Sequence, residues 1–302
     1  MSNGLLFPGQ GSQTPGFLHA LPSHAAVQGV FDEASQYLGD DVLKLDSAET
    51  LATTVAAQMS MLTAGVAFVR YLKAEGIAFE VAAGMSVGAF AAAVAAGAIA
   101  FSDALRFVQR RAELMDAAFP MRHGMVVVEG LRERTVGELL QNTGITIANY
   151  NSPVQFVLAG ERDELLRFLP VAKAGGAHTA MLLGMATASH TADLANAARE
   201  LHAFAETLPM QNAAFPVISN RTARPLLKAV AICEDLAWNM AYPVRWHDVQ
   251  AALYGFGVTR LFEAPPGHTL TRLATEAYPD LKVLAAADLR WDILLREARR
   301  TV

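Results

Sequence analysis

The chain has 302 residues, of which 53% are hydrophobic and 18% charged, and its formal net charge is −5 at pH 7. That length holds one large domain or two modest ones, and that balance suits a well-buried α/β core and excludes a disordered chain. The acidic charge and the lack of a basic run exclude a typical nucleic-acid binder, and the lone cysteine, Cys233, excludes a disulfide framework or a multi-cysteine metal site. Cys233 reads as a small buried hydrophobe. The start, MSNGLLFPGQG, has neither a basic region nor a sustained apolar run, so no signal peptide is expected and the chain reads as soluble and cytoplasmic.

Leu5-Leu6-Phe7 predicts a short strand, followed by a glycine-rich turn from Pro8 to Gln13. The turn is superficially like a dinucleotide fingerprint, but the third glycine is missing at the required spacing. Residues 55–75 predict an amphipathic helix. Residues 81–102, VAAGMSVGAFAAAVAAGAIAFS, carry no charge, and a run that long could cross a bilayer. Thirteen of the twenty-two are Ala or Gly, however, and small residues favour close packing inside a protein over contact with lipid. The stretch parses better as a buried strand, the turn Gly84-Met85-Ser86-Val87-Gly88, and an Ala-rich helix ending near Gly97. This is the G-x-S-x-G nucleophile elbow, in which flanking glycines permit a tight strand-to-helix turn that lifts the Ser hydroxyl out. The helix start then offers free N–H groups beside it. Ser102 is predicted to cap a helix from Asp103 to about Ala118.

Residues 124–188 change rhythm: strand 125–128, helix 132–141, strands 145–149 and 155–158 with a turn at Asn151-Ser152-Pro153, helix 162–174 and strand 180–183. The order β-α-β-β-α-β is that of a ferredoxin-like fold. The expected fold class is therefore α/β, with an α/β-hydrolase-like large domain (1–123 and 189–302) and an inserted ferredoxin-like small subdomain (124–188). The remainder predicts helix 191–207, strand 215–218, helices near 229–240 and 246–256, strand 259–262 and a helical tail.

A serine hydroxyl needs an adjacent base to attack at neutral pH. Of eight histidines (His19, His24, His123, His178, His190, His202, His247 and His268), His190 follows a strand and a small-residue turn, 186–189, and opens a helix. Loops at strand ends are where α/β folds place their chemistry. It reads equally as a helix-start histidine near Asp193. Arg111 falls on the stripe of Ala104, Val108 and Met115, where apolar side chains point. A buried guanidinium must find an anion, either an internal acid or a carboxylate arriving with a substrate. In the first turn, the Gln10 N–H is a candidate second oxyanion donor beside that of Val87, and the turn reads equally as an ordinary tight turn.

Together these pieces resemble the malonyl-CoA:acyl carrier protein transacylase family. Phe7-Pro8-Gly9-Gln10-Gly11-Ser12-Gln13 matches its N-terminal motif, Ser86 its nucleophile, Arg111 its carboxylate-binding arginine, and Ser189-His190 its catalytic histidine. Asn149-Tyr150-Asn151-Ser152-Pro153 and Pro243-Val244-Arg245-Trp246 resemble two further motifs, and the order and spacing hold over almost the whole chain. The resemblance implies Ser86 and His190 as catalytic residues, Gln10 and Val87 as backbone oxyanion donors, and Arg111 on the substrate carboxylate. It implies a substrate pocket touching Met85, Asn151 and Ser189, and a backbone carbonyl near residue 245 that orients His190. No tightly bound cofactor and no metal are expected. Malonyl-CoA is the implied substrate, the phosphopantetheine-type thiol of an acyl carrier protein the acceptor, and neither nucleic acid nor membrane a partner.

The elbow departs from the family's usual Gly-His-Ser-x-Gly-Glu, with Met85 for the histidine and Ala89 for the glutamate, and Glu263-Ala264-Pro265-Pro266-Gly267 has proline where glycine is common. Gly-Met-Ser-Val-Gly-Ala-Phe resembles instead the epsilon subunit of malonate decarboxylase. That likeness implies a dedicated carrier and other decarboxylase subunits as partners. A transacylase of fatty-acid or polyketide synthesis and a serine thioesterase or hydrolase remain the alternatives. Thr187-Ala188-Ser189-His190 is similar to a motif of methylmalonyl-selective enzymes. Malonyl-specific bacterial members also carry Ser before this His, so methylmalonyl is not read from it.

Overall fold

The computed structural model describes residues 2–119, 123–184 and 187–300. The chain opens with β1 (Asn3–Phe7), α1 (Ala25–Leu38), α2 (Thr54–Ala74), β2 (Val81–Gly84), α3 (Gly88–Ala95) and α4 (Phe101–Ala118). A second group follows: β3 (His123–Glu129), α5 (Glu133–Leu139), β4 (Thr146–Ser152), β5 (Gln155–Glu161), α6 (Arg162–Ala174) and β6 (Thr179–Leu182). The chain then returns through α7 (Ala195–Ala205), β7 (Val217–Ile218), β8 (Pro225–Leu226), α8 (Ala229–Trp238) and α9 (Trp246–Gly255). It closes with β9 (Arg260–Glu263), α10 (Thr269–Ala277), β10 (Lys282–Ala285) and α11 (Trp291–Arg299).

These elements build a mixed α/β fold with two sheets. The larger has the order β10-β9-β1-β2-β7-β8, parallel except for β8. A central parallel strand is buried on both faces, which is why β1 reads as a continuous apolar run. Leu5 and Phe7 pack into one core and Leu6 into another, as the alternation of a strand requires. The smaller sheet is antiparallel, in the order β4-β5-β3-β6. Val126 and Val128 of β3 enter its own core, with Leu165 and Phe168 of α6, while Met125, Val127 and Glu129 face a cleft. The sheets are joined where Val244 exchanges hydrogen bonds with β4: its N–H to Ala148 O and its carbonyl to Tyr150 N, both at 2.8 Å.

The uncharged run 81–102 is no single helix; it is β2, the elbow, α3, a turn and the start of α4. Among the described residues, the helix long and apolar enough to cross a membrane is α2, and 89% of its apolar window is buried inside the protein. Expected to be amphipathic, α2 is in fact buried at 17 of its 21 positions. It packs against α1, α3 and α4, and only Val55, Arg70, Lys73 and Ala74, near its ends, meet water.

Other expectations need correction. Ser102 does not cap α4: the helix begins at Phe101, whose buried ring anchors the first turn, and Ala100 stands at the cap without a side-chain bond. The β4–β5 turn is Pro153-Val154, and Asn151 and Ser152 belong to β4, because Ser152 already pairs with Gln155. Helix 191–207 is a 3₁₀ turn, Ala192–Leu194, capped by Thr191, and then α7. The helical tail contains β10, a four-residue edge strand too short to show a period. Helix α1 and strand β8 were not anticipated.

A Cβ on Gly88 would lie 2.3 Å from the Phe7 carbonyl oxygen, and one on Gly84 2.0 Å from the Gly88 carbonyl carbon. The elbow glycines thus let β2 and α3 close on each other and on β1. Gly88→Ala is expected to destabilise the protein by roughly 3 kcal/mol or more in urea unfolding. Gly137→Ala, in α5 with open space at its Cβ, is expected to be neutral or to stabilise by up to about 1 kcal/mol.

Candidate active site

Because β1 and β2 are parallel neighbours, the Pro8–Gln13 turn and the elbow leave the sheet at the same carboxyl edge, where open α/β sheets bind ligands. A Cβ on Gly9 would stand 3.0 Å from the Met85 carbonyl oxygen, so the two turns lie against each other. Ser86 occupies a left-handed conformation, φ 54°, which costs a non-glycine residue about 1–3 kcal/mol. Met85 N–H is held by the Phe7 carbonyl at 2.9 Å, and Ser86 N–H by Asn220 Oδ1 at 2.8 Å. The N–H groups of Gln10 and Val87 have no hydrogen-bond partner among the described residues.

Ser86 Oγ lies 2.8 Å from His190 Nε2. His190 Nδ1 faces two carbonyls, Asn239 O at 2.8 Å and Tyr242 O at 3.1 Å. Carbonyls only accept, so the proton sits on Nδ1 and the Nε2 lone pair is left for the serine. One orienting carbonyl was expected near residue 245; that of Tyr242 lies close to this position, that of Asn239 begins the 3₁₀ turn after α8, and the N–H of Arg245 is bonded to the Asn220 carbonyl. His190 has φ 61°, is 2% exposed, and donates its own N–H to Met240 O at 2.7 Å. Burial, and then the positive charge of Arg111, push its pKa down to about 4. Asp193 bonds Thr191 and not this ring.

Arg111 is 1% exposed in α4. Its Nη1 donates to Gln58 Oε1 at 2.6 Å and its Nη2 to Ser86 Oγ at 3.1 Å, while Nε has no partner among the described residues. Both partners are neutral, so no internal acid among the described residues answers the charge. Burial lowers the guanidinium pKa to about 10, which leaves it protonated at neutral pH. Gln58 also reaches Gln10 Oε1 through Nε2 at 3.3 Å, tying the arginine to the first turn.

Ser86, Arg111 and His190 open into a cleft of about 490 Å³ between the two sheets. Gln10, Met85, Asn151 and Ser189 line it too, and Asn151 Oδ1 is buried without a partner. None of the other histidines lines it: His19 and His268 pair with Asp46 and Asp288, and His24 caps α1. Ala186 of the turn before His190 lies outside the described residues. Cys233 is buried in α8, which pushes its thiol pKa up and leaves it inert. Among the described residues no group of three or more His, Cys, Asp or Glu could hold a metal ion.

Residues 5–289 match the model of the acyl transferase domain family. The chain belongs to this acyltransferase family. It is 32% identical over 293 residues to the malonyl CoA-acyl carrier protein transacylase of Bacillus subtilis (strain 168), covering 94% of this chain and 92% of that protein. With the protein of the same name from Escherichia coli (strain K12) it shares 34% over 278 residues, 89% and 90% of the two chains. Among solved structures it resembles the malonyl-transacylase in complex with its type II polyketide synthase acyl-carrier protein (TM-score 0.91, 33% identity, 99% of each chain). It is equally similar to the acyl-carrier-protein S-malonyltransferase of Burkholderia pseudomallei 1710b (TM-score 0.91, 34% identity, 99% of each chain).

Three parts of the acyltransferase site escape the sequence patterns: Gln58, Asn220 and the carbonyls of Asn239 and Tyr242. Gln58 left one signal, as a lone amide inside the apolar stretch Val55–Met59 of α2. An imidazole must be neutral to accept a proton, so reactivity holds above its pKa and fails below it. The acyltransferase is therefore expected to keep Ser86 reactive toward a fluorophosphonate down to about pH 5, with the acid limb centred near 4. A limb at the ordinary histidine value of about 6.5 would show that burial and Arg111 do not lower the His190 pKa.

Proposed function

We propose that this acyltransferase is a malonyl-CoA:acyl carrier protein S-malonyltransferase working through a malonyl-Ser86 intermediate. The observation that carries the reading is the buried Arg111 cation, with neutral partners only, bonded to the hydroxyl that would be acylated. Ser86 Oγ attacks the thioester carbonyl while His190 Nε2 takes its proton. The N–H groups of Gln10 and Val87 receive the oxyanion, each worth on the order of 3 kcal/mol at the transition state. The C–S bond breaks, and CoA leaves as the thiol with the proton from His190. The carrier's phosphopantetheine-type thiol then gives its proton to His190 and attacks the acyl carbon. Ser86 recovers the proton as its C–O bond breaks. Asn239 and Tyr242 fix the tautomer that both half-reactions need, and no tightly bound cofactor enters. Arg111 pairs with the free carboxylate of the acyl group, which selects dicarboxylic acyl groups over acetyl because acetyl leaves a buried charge unanswered.

The same reading takes residues 1–123 and 189–302 as an α/β-hydrolase-like core and 124–188 as a ferredoxin-like subdomain. The β3-α5-β4-β5-α6-β6 order and the sheet order β4-β5-β3-β6 support the latter. Met85, Asn151 and Ser189 serve as pocket wall. The likeness to transacylases, one of them in complex with a polyketide synthase carrier, favours a carrier of fatty-acid or polyketide type in the cytoplasm. A malonate-decarboxylase carrier and its subunits rest only on Met85 and Ala89, and no relative described above points to them. Co-purification with synthase components or with decarboxylase subunits decides between these two.

Intact mass after incubation with malonyl-CoA is expected to show a malonyl adduct that Ser86→Ala lacks and that an acyl carrier protein discharges. Rapid release of free malonate without carrier would identify a hydrolase instead. Arg111→Ala is expected to lose on the order of 100-fold in kcat/KM for malonyl-CoA, equivalent to about 2.7 kcal/mol, while acetyl transfer changes little. Equal losses for both acyl groups would make Arg111 structural.

A further inference from the structure

β2 and β7 pair through only two residues, Ala82 with Val217 and Ala83 with Ile218, and the backbone ladder then stops. The side chain of Asn220 takes over at that point. Its Oδ1 accepts from the Ser86 N–H at 2.8 Å, and its Nδ2 donates to the Gly84 carbonyl at 2.7 Å. A carboxamide carries the same donor and acceptor as a peptide group, so it prolongs the parallel ladder from β2 onto the elbow. Its orientation is fixed by its partners, since only the oxygen can receive an N–H and only the nitrogen can face a carbonyl.

Opposite Asn220, the Phe7 carbonyl holds the Met85 N–H at 2.9 Å, so the residues around the strained Ser86 are gripped from both neighbouring strands. Asn220 is itself fixed. It is 2% exposed, its carbonyl accepts from the Arg245 N–H at 2.8 Å, and Ser219 beside it donates to Asp235 Oδ1 at 2.5 Å. Asp235 belongs to α8, and the turn after that helix supplies the carbonyls that face His190 Nδ1. Residues 217–242 therefore touch the nucleophile at one end and the base at the other.

We infer that Asn220 is a positioning residue for the nucleophile: its carboxamide clamps the elbow so that Ser86 Oγ stays between His190 and Arg111. The inference rests on Ser86 being the nucleophile of the proposed transfer. Asn220 does not line the cleft and acts through the backbone of Gly84 and Ser86.

The full-length protein is tested with a fluorophosphonate and with malonyl-CoA. The fluorophosphonate reads Ser86 alone, as Oγ bonds phosphorus, fluoride leaves and the proton passes to His190. Asn220→Ala is expected to slow phosphonylation and kcat for malonyl transfer by about 10- to 100-fold. KM for malonyl-CoA should stay within about twofold, because the cleft wall and Arg111 are untouched. Asn220→Leu, of similar size but without donor or acceptor, should fall as far as alanine. Asn220→Ser, able to keep one of the two bonds, should fall between. A wild-type phosphonylation rate in Asn220→Ala or Asn220→Leu overturns the inference, as does a loss confined to KM. Should those two variants not fold, an undiminished rate in folded Asn220→Ser overturns it equally. Wild-type protein that is phosphonylated yet gains no malonyl adduct sinks the transferase reading alone, and the phosphonylation rates then still decide the role of Asn220.

Discussion

The buried guanidinium of Arg111 meets two neutral oxygens, those of Gln58 and Ser86, and the arrangement of the site follows from that uncompensated charge. A charge left unpaired in a protein interior costs about 3–5 kcal/mol. Here the cost is carried in the resting protein, and under the proposed function a carboxylate entering the cleft would relieve it. The same charge acts on His190, where it adds to burial in keeping the imidazole neutral. A neutral imidazole beside a cation is a base ready at neutral pH, which a serine nucleophile requires.

Keeping such a cation in place constrains the scaffold. Gln58 can reach Arg111 only from a helix with no exposed side at that level, and α2 is such a helix. Through Gln10, the same amide connects the arginine to the turn after β1, so the guanidinium and that turn share one support. On the other flank the elbow closes on β1 because neither Gly84 nor Gly88 has a side chain. The strain of a left-handed Ser86 is borne where three backbone and side-chain bonds converge, at a functional site, as is usual for such strain.

The smaller sheet adds a wall in place of a reactive group. One face of β3 packs on α6 while the alternate residues face the cleft, and the Val244 bonds to β4 lock that wall to the segment leading out of the His190-orienting turn. A substrate in the cleft therefore touches both sheets, and the distance between them is set by main-chain hydrogen bonds rather than by loops.

Much of this was legible in the chain itself. The glycine spacing around Ser86, the period that placed Arg111 among apolar residues, and the strand and small-residue turn ahead of His190 are local patterns that marked candidates, and the resemblance to a known family singled out all three. The β-α-β-β-α-β order could likewise be read from periodicity, and helix Arg162–Ala174 appears with the expected ends. The all-round burial of α2 was not readable, because its apolar and small polar residues suit an amphipathic surface helix or a core helix equally. Nor were Gln58, Asn220 and the two carbonyls facing His190. Local patterns specify which residues carry charge, nucleophilicity and turn geometry. The neutral groups that hold them lie 53, 134 and 49 residues away along the chain, and a hydrogen bond across such a separation leaves no periodic trace until the fold brings its ends together.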